Sequence, residues 1–152
     1  MTTKNLGFQK KLKQQKVHIN QDKMKNKLSI FLVGILAVTF LDSLGAIASR
    51  QLNFNYSLLS IVSFIVYVSF AFFLARQTDK KTTIILTGLL GLFDATIGWK
   101  ISELLGANTG ENEIEITTTI LITTVILMTV FSCLLGLLGW WLSKKISKSN
   151  DN

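Results

Sequence analysis

The sequence predicts an all-α, four-span transmembrane helix bundle, built as two helical hairpins with the N- and C-termini on the same side. Three observations predict it. Hydrophobic residues make up 49% of the 152-residue chain and charged residues only 16%, a balance wrong for an ordinary soluble domain. The apolar residues gather into four runs, each long enough as a helix to cross a hydrocarbon core of about 30 Å. Basic residues flank those runs on one side almost exclusively.

Residues 1–27 form a basic tail carrying eight lysines against one acid, Asp22. Its apolar residues keep no helical period, so an amphipathic anchor is not expected and a flexible segment is. Such a tail is attracted to anionic lipid, at about 1 kcal/mol per basic residue near the surface. It lacks the aromatic platforms that single-stranded nucleic acid would need, so no nucleic-acid partner is expected. His18 within it reads as solvated.

The transmembrane domain covers residues 28–142. The first span is 28–49 and contains Asp42. Ala46-Ile47-Ala48 resembles a signal-peptidase site, but the leader before the apolar run is far too long for a signal peptide, so a retained span is expected. The second span is 56–75, between Tyr56 and Arg76. Asn55-Tyr56-Ser57 matches a glycosylation sequon at its edge, a motif common by chance. The third span is 84–105, with Trp99 and Lys100 near its end and Lys100 spaced to pair with Glu103. An acidic loop holding Glu111, Glu113 and Glu115 leads to the fourth span, 116–142, which ends in Trp140-Trp141. Residues 143–152 are a second short basic tail. The chain contains no proline, which predicts continuous helices.

The basic residues set the topology. With both termini cytoplasmic, the two tails and the Arg76–Lys81 connection hold fourteen of the sixteen Lys and Arg, leaving Arg50 and Lys100 outside. That is strong positive-inside asymmetry. The expected location is the cell membrane, as a multi-pass protein.

Small residues mark where the helices should touch. In the third span Gly88, Gly91, Ala95, Gly98, Ser102 and Gly106 recur at steps of three or four, and in the fourth so do Ser132, Gly136, Gly139 and Ser143. Such stripes let two backbones approach closely. Because the two spans are antiparallel neighbours, Gly88 and Gly91 are expected at the level of Gly136 and Gly139, packed backbone to backbone. Phe40-Leu41-Asp42-Ser43 and Leu92-Phe93-Asp94-Ala95 also align, each followed by a glycine (Gly45, Gly98) and a basic residue, which suggests a repeat of two parallel hairpins.

Asp42 and Asp94 are the candidate functional residues. A carboxylate at this depth costs roughly 2.5 to 3.5 kcal/mol on insertion scales, so it needs compensation. Counting 1.5 Å per residue from the span ends puts both at one depth, together with Ser63 and Thr123 or Thr124. That layer reads either as an interhelical hydrogen-bonded clamp or as an ion or proton site, because low dielectric and a second carboxylate both favour the protonated acid.

No enzyme is expected. One cysteine and one histidine support neither a disulfide nor a zinc site, so no metal and no cofactor are expected. Cys133 reads as a packed or lipid-facing thiol. Gly91-Leu92-Phe93-Asp94 lacks the Gly-x-Gly-Asp pattern of intramembrane aspartyl hydrolases. The function expected is that of a non-enzymatic accessory or scaffolding membrane component. The alternative is a small proton- or cation-coupled transporter or channel subunit using Asp42 and Asp94, working as a homodimer or larger assembly because four spans enclose little lumen.

Overall fold

The computed structural model of the chain describes residues 3–110 and 117–149, with side chains described from residue 24 onward. Every regular element in it is helical: α1 (Thr3–Gln51), a 3-10 turn (Tyr56–Leu59), α2 (Ser60–Ala75), α3 (Lys80–Phe93), a π-helical turn (Asp94–Gly98), α4 (Trp99–Leu104) and α5 (Thr118–Ser149). Four stretches are long and apolar enough to cross a membrane: Met24–Gln51, Tyr56–Ala75, Lys80–Leu104 and Thr118–Ser149. The expected span start at Ile116, the acidic residues Glu111, Glu113 and Glu115, and the side chains of His18 and the lysines up to Lys23 lie outside the described residues.

α1 corrects the expectation of a flexible tail. Its backbone is helical from Thr3, about 74 Å at 1.5 Å per residue, more than twice what one crossing needs. The tail is rich in Lys and Gln, good helix formers, and it extends a helix already nucleated by the span, so each added residue has only propagation to satisfy.

The bundle has two dissimilar ends. At the turn end, α2 passes into α3 through Arg76–Asp79. Asp79 caps α3, its carboxylate accepting from the Thr82 amide at 3.1 Å and the Thr82 hydroxyl at 2.7 Å. Both bonds, the hydroxyl's first, hold the Asp79 carboxyl below its ordinary value. At the capped end, the two loops bind one another. Tyr56 donates its amide to the Asn108 carbonyl at 2.7 Å, and the Asn108 amide donates to Ser49 Oγ at 3.0 Å. α4 stops at Gly106, whose φ of +70° suits glycine, while the Ala107 amide bonds back to the Ser102 carbonyl in the pattern of a Schellman cap.

α5 packs most extensively on α3 and then on α2, whereas α1 lies against α2, α3 and α4. Its buried residues are Ser132, Gly136, Gly139 and Ser143, the small stripe of the sequence. The register between α3 and α5 differs from the expected one. A Cβ on Gly91 would strike Ser132 and come 3.3 Å from the Met128 carbonyl, and one on Gly88 would come 2.5 Å from Cys133 Sγ. Gly136 instead faces Thr87 and Ile84, and Gly139 faces α2, where a Cβ would come 2.8 Å from the Val68 carbonyl. Glycine on glycine at one level would leave an unfilled gap. Offset by about a turn, each glycine receives a side chain from the partner helix, which restores dispersion contacts. The core at the turn end of the bundle is formed by Val38, Tyr67, Phe70, Leu74 and Leu90.

The third span is not a uniform α-helix. At Asp94–Gly98 it widens into a π turn in which the Trp99 amide donates to the Asp94 carbonyl, five residues back. The Thr96 hydroxyl donates to the Leu92 carbonyl at 2.7 Å, occupying an acceptor of the regular ladder. Absence of proline therefore kept the span unbroken without making it regular.

Candidate carboxylate-pair site

Five helical segments converge at Asp42 and Asp94. Asp42 comes from α1 and is 5% exposed; Asp94 opens the π turn of the third span. The two carboxyl groups are brought side by side. They meet over Gly98, where Asp42 Oδ2 and Asp94 Oδ1 both press on the place a Cβ would take, the latter 2.7 Å from it. Only a residue without a side chain fits between the acids and the helix behind them.

Each carboxyl also has a tyrosine. The Tyr56 hydroxyl donates to Asp42 Oδ1 at 2.9 Å and shares a second hydrogen bond of 2.8 Å with Ser102 Oγ. The Tyr67 hydroxyl donates to Asp94 Oδ2 at 2.6 Å. Asp42 Oδ2 is buried and finds no donor among the described residues. Two carboxylates side by side cannot hydrogen-bond to each other unless one of them holds a proton. A chain then runs Ser102, Tyr56, Asp42, Asp94, Tyr67, across α4, the 3-10 turn, α1, the π turn and α2.

The pair lines a cavity of about 410 Å³ whose wall also draws residues from the 3-10 turn, α2 and α5. Along α5 no residue before Ser132 is buried, and Leu121, Thr124 and Met128 of that stretch line the cavity. Its walls are predominantly apolar and include Phe64, Trp99, Leu121 and Met128. Phe64 is held by a tilted contact with Phe131, 5.0 Å between ring centroids.

Of the residues the sequence assigned to a polar layer, Asp42 and Asp94 come together, and Ser63 and Thr124 line the cavity beside them. Neither hydroxyl bonds to an acid; Ser63 donates to the Leu59 carbonyl at 3.3 Å. Thr123 lies away from the site, exposed, its hydroxyl returned to the Thr119 carbonyl at 2.9 Å. Gly88, Gly91, Ala95, Gly98, Ser132, Gly136 and Gly139 are all buried, with Ala95 also on the cavity wall. The suggested repeat brings the two acids together but not the glycines after them, since Gly45 packs on Leu59 and Tyr56 whereas Gly98 packs on both acids. Lys100 and Glu103 pair at 2.7 Å.

Tyr56, Tyr67 and Ser102 are the partners the sequence reading missed. Depth was counted on Cα positions, and a tyrosine hydroxyl reaches about one helical turn, roughly 5 Å, along the axis. Helical side chains lean toward the N-terminus, which on α2 is the capped end. Tyr67, one turn beyond Ser63, therefore delivers its hydroxyl to the level assigned to Ser63. Allowing for side-chain length and lean would have found it. Compared with protein-family models, curated proteins and solved structures, the chain matches none.

Proposed function

We propose that this is a small cell-membrane protein, multi-pass with both termini cytoplasmic, that exchanges a proton for a cation at the Asp42–Asp94 pair and works as an ion-coupled transporter. The observation that carries the reading is the meeting of two carboxyl groups from separate spans on the wall of one cavity. In a low dielectric two adjacent acids hold one proton between them, and a cation beside them releases it. The apolar core of Val38, Tyr67, Phe70, Leu74 and Leu90 beyond the pair favours a carrier that alternates access over an open channel. The reading is non-enzymatic, with no metal or cofactor, and a homodimer is the expected working unit. The basic tails would bind anionic lipid on the cytoplasmic face.

The Tyr56–Asp42 and Tyr67–Asp94 bonds also favour a second reading, that of a clamp holding together an accessory or scaffolding protein. Amide substitution separates the two. Reconstituted vesicles with an imposed pH gradient would be challenged with sodium, potassium or an organic ammonium salt. For the transporter, the wild type dissipates the gradient with at least one of them, whereas Asp42→Asn and Asp94→Asn insert and fold but do not. Cation-dependent dissipation that persists in both variants would assign the pair to the clamp.

A further inference from the structure

We propose that the cavity beside Asp42 and Asp94 takes a protonated aromatic amine, an ammonium group carrying its own N–H donors on a flat apolar body. The inference rests on the exchange reading above and adds the class of cation. A bare metal ion would exchange its water shell for oxygen ligands, six or more for a hard divalent ion, and most of this wall is carbon. Among the described residues no three His, Cys, Asp or Glu side chains are grouped to hold a metal ion. An organic ammonium covers the apolar wall with its own body.

Three features select the body and the head. Phe64 and Trp99 are on the wall, and aromatic side chains attract a cation and stack on a flat ring. The volume of about 410 Å³ falls in the range of small-molecule sites. Asp42 Oδ2, buried and without a donor, needs an N–H or O–H. While the acids share a proton, that proton meets the need. When it leaves, the carboxyl pair on the cavity wall can accept from a primary or secondary ammonium, whereas a quaternary ammonium has no N–H to give. One cation enters as one proton departs, so the charge of the site is the same before and after.

The test uses the purified full chain in detergent, in weakly buffered solution near neutral pH. 1-Naphthylmethylamine and its N,N,N-trimethyl analogue are titrated by calorimetry while a pH indicator counts released protons. Thr124→Trp, at an exposed position on the cavity wall, fills the space without touching the acids and corrects for uptake into micelles. The expected result is amine binding with release of up to one proton per chain, at least tenfold tighter than the trimethyl analogue and lost in Thr124→Trp. Equal binding of the two compounds would overturn the donor argument, and so would amine binding that Thr124→Trp leaves intact. Should sodium or potassium release the proton while the amine does not, the cation class is wrong and the exchange reading stands. If no cation releases a proton from the wild type, the exchange reading fails and this inference with it.

Discussion

Tyr67 and Asp94, 27 positions apart in sequence, are joined by a 2.6 Å hydrogen bond from the tyrosine hydroxyl to the carboxylate Oδ2. The tyrosine is 1% exposed, so its hydroxyl has no water to fall back on. The bond ties α2 to the π turn of the third span and aims Asp94 Oδ1 at Asp42. Tyr67→Phe should lower stability by about 1 kcal/mol, the size of a membrane hydrogen bond. In an Asp94→Leu background the same change should cost clearly less, because the partner is already gone. Thermal unfolding of the four proteins of this cycle in one detergent measures the coupling, and strict additivity would mean that the bond carries no stability.

The small stripes predict a second coupling. Gly91→Leu would drive into Ser132, and Gly136→Leu into Thr87 and Ile84, so each should cost about 1 to 3 kcal/mol as an overpacked contact. Both separate α3 from α5. The double variant should therefore lose less than the sum, because either leucine alone already parts the helices. Leu89→Ala is the control, since Leu89 is exposed whereas its neighbour Leu90 is wholly buried. A loss from Leu89→Ala as large as that from Gly91→Leu would refute the assigned face.

Asp79 sets a pH dependence outside the spans. Its folded pKa lies below its unfolded one because Thr82 donates to the carboxylate. The stabilisation is therefore present in full above the ordinary carboxylate range and is lost as pH falls through the depressed value. Asp79→Ala should melt below wild type at pH 7, and the difference should narrow toward pH 3. A difference that stays constant across that range would remove the capping carboxylate from the account.

The proposed topology is tested by reporter fusions. A reporter active only in the cytoplasm should work after Asp79 or Ser147 and fail after Asn53 or Asn112. Activity at Asn112 would sink the arrangement with both termini inside.

Length and apolar content determined that there are four helices long enough to cross a membrane, because a bilayer-length helix is specified by local composition and needs no partner to satisfy its backbone, though not where each ends. The buried faces of the third and fourth spans were legible for a similar reason, since Gly, Ala and Ser at steps of three and four mark a face whichever helix meets it. The depth of Asp42 and Asp94 followed from counting along the helix axis. Which side chains share that depth did not, because Tyr67 reaches it by length and lean, and Tyr56 by length, rather than by position. The offset of Gly88 and Gly91 from Gly136 and Gly139 was decided by space filling between two surfaces, a property of neither strand of sequence alone. Gly98 shows the limit most clearly: in sequence it is one more member of a stripe, and only the tertiary structure makes it the gap in which two acids meet. The site is a relation between helices, and its residues acquire their roles only when α1, α2 and the third span are brought within hydrogen-bond distance.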